Sequence, residues 1–170
     1  TQLQKNDCAN SVFLFNGGTL RARQNASDYI VGRGVLAMVI ADDANAVFDT
    51  NGKTVIVNPQ AAPYDTVLTL RGKEGAGASG NGGLVKTGAG SLVLRLPPAC
   101  NTFTGGVTVL QGTLDLGRPL ATNQTVTVHA GANFVVRSTN DLGKITFLDG
   151  GTGALMLYTV AVDTDALNLT

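Results

Sequence analysis

The chain has 170 residues, with twelve Lys plus Arg against twelve Asp plus Glu and a single His, so its formal net charge is zero. That balance excludes the basic footprint of a nucleic-acid binder and of a membrane-surface face, while a hydrophobic content of 44% excludes disorder. The longest apolar run, Gly34 to Ala41, falls far short of the ~20 residues that cross a bilayer, and no basic n-region with an h-region opens the chain.

Glycine is the compositional signal. Twenty-two glycines are roughly one residue in eight, against an average near ~7%. The chain starts with Thr1 and stops at Thr170 inside the strand-like "DALNLT", which leads us to expect one segment, residues 1–170, cut from a longer repetitive protein.

In chain order, "FLFNGGTLRA" at 13–22 opens the patterned region and begins a basic cluster of Arg21, Arg23 and Arg33. We read that cluster as a solvated face, with a glycan or partner patch as the rival reading. "GVLAMVIADDANAVF" at 34–48 is the best helix candidate, but strand is preferred because its apolar residues do not hold a three-four spacing. "FDTNGKTVIV" at 48–57 turns at Asp49 to Gly52, and "VLTLRG" at 67–72 leads into "GAGASGNGG" at 75–83. A phosphate loop there would need a following Lys-Ser or Lys-Thr and a strand-to-helix junction, so a linker is expected.

Then come "GLVKTGAGSLVL" at 83–94, "VTVLQGTLDLG" at 107–117, "VTVHAGANFVVRS" at 126–138 and "ITFLDGGTGALML" at 145–157. Each is a short alternating stretch, a Gly turn and a second alternating stretch. Val107 and Val109 followed by Leu114 and Leu116, like Val126 and Val128 followed by Phe134 and Val136, have the period of two that marks strands. One turn glycine per copy (Gly18, Gly34, Gly52, Gly72, Gly90, Gly112, Gly131, Gly151) gives a mean interval of about 19 residues.

Short strands with Gly turns also suit an antiparallel sandwich. The translational likeness of successive units favours stacking in one direction, which piles Val on Val and Leu on Leu. The expected fold is therefore all-β: a right-handed single-stranded parallel β-helix of about 8–9 coils, with the hand set by the crossover rule.

The segment Gly82–Gly117, "GGLVKTGAGSLVLRLPPACNTFTGGVTVLQGTLDLG", resembles the autotransporter-associated β-strand repeat. The positions that carry the resemblance are Gly83, Leu84, Lys86, Gly88, Gly90, Leu92, Leu94, Asn101, Phe103, Gly105, Thr108, Val109, Gly112, Thr113, Leu114, Leu116 and Gly117. The resemblance implies a passenger-type β-helix in an exported, extended bacterial surface protein, and it identifies no ligand. Pro97, Pro98 and Cys100 depart from the small polar residues usual in the linker.

No residue is assigned to catalysis, to a cofactor or to a metal. His129 is expected in a strand as a surface residue. Asp42 with Asp43 and Asp163 with Asp165 are the close acidic pairs, and two carboxylates fall short of the 6–8 oxygens calcium takes. "GGTG" at 150–153 has Leu155 where a calcium nonapeptide needs Asp. The sequons at Asn25, Asn123 and Asn168 are read as coincidences. At about 4.8 Å per coil, Cys8 and Cys100 should lie on the order of 23 Å apart, too far for a disulfide within the chain.

These readings lead to a structural, non-enzymatic module at the cell surface or outside the cell: an adhesin, stalk or filament part. Its expected partners are further β-helical coils or identical copies stacked end to end, with a surface glycan or protein ligand on a side face. The alternative is a polysaccharide-binding or polysaccharide-degrading β-helix, whose mark would be acidic and aromatic side chains converging on one face. Tyr29, Tyr64 and Tyr158 are scattered along the chain.

Overall fold

Alternating Val, Leu, Ile and Thr give every patterned stretch the pleated, half-buried character of a strand. A computed structural model describes residues 3–5, 10–32, 35–57, 67–72, 81–96, 102–117, 120, 124–137, 140–148, 154–157 and 162–169. The first coil comprises β1 (Leu3–Lys5), β2 (Asn10–Phe15) and β3 (Thr19–Arg21). The second comprises β4 (Ala26–Gly32), β5 (Val35–Ile40) and β6 (Asn45–Asp49), and the third β7 (Lys53–Val57), β8 (Val67–Gly72) and β9 (Gly83–Thr87). Later coils have two strands each: β10 (Gly90–Leu94) with β11 (Val107–Val109), then β12 (Thr113–Leu116) with β13 (Gln124–Val128). Two more follow, β14 (Asn133–Val136) with β15 (Asn140–Phe147) and β16 (Ala154–Leu157) with β17 (Val162–Leu169). The segment at 34–48 is thus β5 and β6, strands as its period required.

Three sheets result. Two have seven strands, in the orders β1-β4-β7-β10-β12-β14-β16 and β17-β15-β13-β11-β9-β6-β3, and the third has three, β2-β5-β8. Every pairing is parallel. A chain that advances strand by strand through parallel sheets is a parallel β-helix, and the sandwich reading fails on strand direction.

Like side chains form columns along the axis. Val55, Leu92, Leu114, Phe134 and Leu155 share one register line of the first sheet. Ala46, Leu84, Val107, Val126, Ile145 and Leu167 share one of the second. Their described members are buried in one continuous core. Leu96, Phe103 and Leu120, in the connections that replace the third strand in later coils, join that core.

The coil length is uneven, which the glycine spacing did not anticipate. From Leu94 the register steps to Leu116, Val136 and Leu157, roughly 20 residues a turn. Before that it steps from Leu3 to Ile30 and Val57 and then to Leu94, because the wide coils carry a third strand. Gly18 accordingly lies between β2 and β3 while Gly52 lies between β6 and β7: two different corners, sampled as though they were one. Gly34, Gly151, Cys8 and Cys100 lie outside the described residues, so the cysteine geometry does too.

Candidate functional site

The corner where the second sheet passes into the first gathers the polar side chains of the repeat. Its successive turns carry positive φ at Asn51 (48°), Gly88 (75°), Gly112 (72°) and Gly131 (73°), the left-handed region that glycine enters without penalty and asparagine tolerates. At Gly112 a Cβ would also fall 2.5 Å from Gly90 O and 2.9 Å from Lys86 Nζ, so the turns stack too closely for any side chain there.

Lys86 occupies an inward column. It lies between Phe48 and Val109 in register and is 0% exposed. Its ammonium donates to Thr87 O at 2.9 Å, Gly88 O at 2.7 Å and Gln111 O at 2.8 Å, so its three protons meet three turn carbonyls from two successive coils. One coil earlier, the buried Thr50 hydroxyl lies 3.0 Å from both Gly88 O and Ala89 O. Burial pushes the Lys86 ammonium down to about 8, and the nearby Asp49 charge pulls the other way.

Outside this buried pair lies an exposed polar layer. Arg21 Nε is 3.1 Å from Asp49 Oδ2, and Arg21 Nη2 donates to Asn51 Oδ1 at 2.8 Å. Asn51 in turn donates to Ala22 O and, through its backbone N–H, to Asp49 Oδ1. Together with Thr87 and Gln111 these residues line a shallow surface depression. It presents a guanidinium, a carboxylate and two amides, groups suited to hydrogen bonding. The amine beneath it has its protons committed to carbonyls and is not offered to a substrate.

The signature of stacked turns, with an inward Lys two residues before the first turn glycine, is also what relates this chain to known proteins. Residues 84–116 match the passenger-associated-transport-repeat family. The repeat therefore spans β9 to β12 and includes Lys86, its carbonyl acceptors and Gly112, and it coincides with the segment that stood out in the sequence. No curated protein and no solved structure gives a match.

The residues singled out from sequence do not assemble around the repeat's corner, apart from Arg21. Asp43, at φ 55°, donates its backbone N–H to Asn81 Oδ1 (2.8 Å) and accepts from Asn81 Nδ2 (2.6 Å) at its own carboxylate. This ties the second coil to the third. Asp163 and Asp165 are on β17, at the opposite end of the sheet from β6. His129 sits in the turn after β13 rather than in the strand, where its N–H donates to Val109 O and its carbonyl accepts from Ala132 N. Arg33, Tyr64, Tyr158, Asn123, Pro97 and Pro98 lie outside the described residues, as do 150–153.

Sequence reasoning passed over three polar positions. Lys86 was legible: Leu84 faces inward, so by alternation Lys86 does too. Asp115, on the outward line between Val93 and Val135, is nonetheless buried, and both its oxygens accept from Arg137 Nε at 2.8 and 2.9 Å. That pair can be found only once the register is known. Gln124, also buried, donates to Phe103 O in the connection below it.

Proposed function

We propose that this chain is a structural β-helical module of an exported bacterial surface or secreted protein, projecting as an adhesin, stalk or filament part and carrying out no reaction. The observation that carries the reading is the coincidence of a passenger-associated-transport-repeat match at 84–116 with unbroken apolar columns running through seven parallel strands. A stack of this kind transmits length: each coil adds about 4.8 Å and contacts only its neighbours. Its partners along the axis are further coils, and its side faces are left for surface ligands.

The polysaccharide-cleaving alternative draws no support from the acidic pairs, since Asp43 is engaged with Asn81 and Tyr29 is buried in the core. The test is protease treatment of intact cells of the source bacterium, probed with antibody against residues 84–116. Loss of signal without lysis is the expected result, and a protected cytosolic signal overturns the reading. Release of reducing ends from polysaccharides by the purified chain would overturn its non-catalytic part.

A further inference from the structure

The two ends of the stack differ in cross-section. At one end all three sheets terminate together, on β1, β2 and β3. At the other, only β16 and β17 terminate sheets, because the three-stranded sheet stops at β8, in the third coil. The wide end is also the bare one. β2, "NSVFLF", contains no charge and no proline, the devices that usually blunt an edge strand.

Both faces of that strand are apolar. Val12 and Leu14 are 66% and 53% exposed. Phe13 meets Phe15 edge-on at 4.9 Å between ring centroids, and Phe15 meets Phe48 of the next coil at 5.4 Å. Phe13, Phe15, Gly18 and Leu20 line an open depression of about 230 Å³ at this end. Inside the stack the same register lines carry a buried residue on the following coil: Phe15 lies on Ile40 and Leu20 on Phe48.

We propose that the β1–β2–β3 end docks a three-strand parallel coil that continues all three ladders, and that it does not accept the two-strand end of an identical copy. The proposal rests on the reading of the chain as a stacking module and names the partner of its wide end. Register continuity specifies the occupant. A coil with two strands extends the sheets of β1 and β3 and leaves the β2 edge and its phenylalanines uncovered. A third strand opposite β2 buries them as β5 is buried by β8 and β2. Identical copies arranged head to tail offer only β16 and β17, so they break the third ladder at every junction.

The experiment inserts one further coil ahead of Leu3 and reads amide hydrogen exchange in β2. Residues 26–52, which comprise β4, β5, β6 and the turn leading to β7, supply a three-strand coil, and residues 113–132, comprising β12, β13 and its turn, supply a two-strand coil. The wide insert is expected to slow exchange at Val12–Phe15 by about tenfold or more, and the narrow one to leave it within about twofold of the unmodified chain. Equal protection by both inserts, or none from the wide one, overturns the proposal, as does sedimentation of the unmodified chain as end-to-end oligomers with β2 protected. If either insertion fails to fold, judged by lost protection at Leu92 and Leu114, synthetic peptides 26–52 and 113–132 added in trans give the same comparison: protection of β2 by the first alone supports the proposal, and any other pattern overturns it. Loss of protection at Leu92 and Leu114 in the unmodified chain would instead refute the stacking module itself, and surface location is tested separately by protease treatment of cells.

Discussion

Lys86 shows how one residue can serve both the packing and the polar groups of a core. Its methylenes fill a place in the column between Phe48 and Val109, and its ammonium satisfies carbonyls that the tight turns leave pointing inward. Truncation to Ala removes both services, so Lys86→Ala is expected to cost about 2–4 kcal/mol in urea unfolding. Lys86→Met, which keeps the volume, should cost less. The two variants also isolate a pH effect. The folded chain holds this ammonium at about 8, below its ordinary 10.5, so between those values the unfolded chain binds more protons. The stability contributed by Lys86 therefore increases as pH rises from about 8 toward 10.5. Unfolding free energies at pH 7 and pH 9.5 should show the difference, wild type minus Lys86→Met, shifting in favour of the wild type. Comparison with Lys86→Met cancels Tyr29, whose hydroxyl is pushed up by burial and then by Asp49. A flat difference refutes the linkage.

At the scale of the turn and the strand, what decides is how closely one coil lies on the next. Gly52 and Gly112 have nearly the same φ, 74° and 72°, but a Cβ on Gly52 meets nothing within 4 Å whereas one on Gly112 collides with Gly90 O. Gly52→Ala should therefore cost only the left-handed penalty of about 1–2 kcal/mol. Gly112→Ala adds an overlap of about 1–3 kcal/mol, and paired chemical denaturation curves should separate the two. The outward pair Asp115–Arg137 points the other way. Asp115 lies between Val93 and Val135, so Asp115→Val would complete an apolar line and leave the half-exposed Arg137 in water. Thermal melts are expected to show Asp115→Val no less stable than the wild type, because a charge pair buried on one side is often matched by a good hydrophobic replacement.

At the scale of the whole molecule, each coil touches only its neighbours, so stability accumulates along the axis rather than around a centre. The coils from β7 to β12 have neighbours on both sides and contain the repeat matched at 84–116. Hydrogen exchange should be slowest there and quicken toward β1 and β17. Uniform protection from end to end would mean a single cooperative unit instead. The difference in cross-section between the two ends gives the rod a polarity that its zero net charge conceals.

Period and glycine were enough to reveal the direction of the chain. An apolar pair, a turn that only glycine or asparagine can make, and another apolar pair, repeated in the same sense, have no use for a hairpin. The inward placement of Lys86 was equally open to reading, since alternation is a local property. Coil width was not: whether Gly18 and Gly52 turn the same corner depends on which strand pairs with which, and strand pairing is a contact between residues far apart in sequence. The same holds for Asp115 meeting Arg137 and Asp43 meeting Asn81, where polar groups find partners one coil away. Local patterning fixes what each segment is, and the stacking register, a property of the folded chain alone, decides which segments meet.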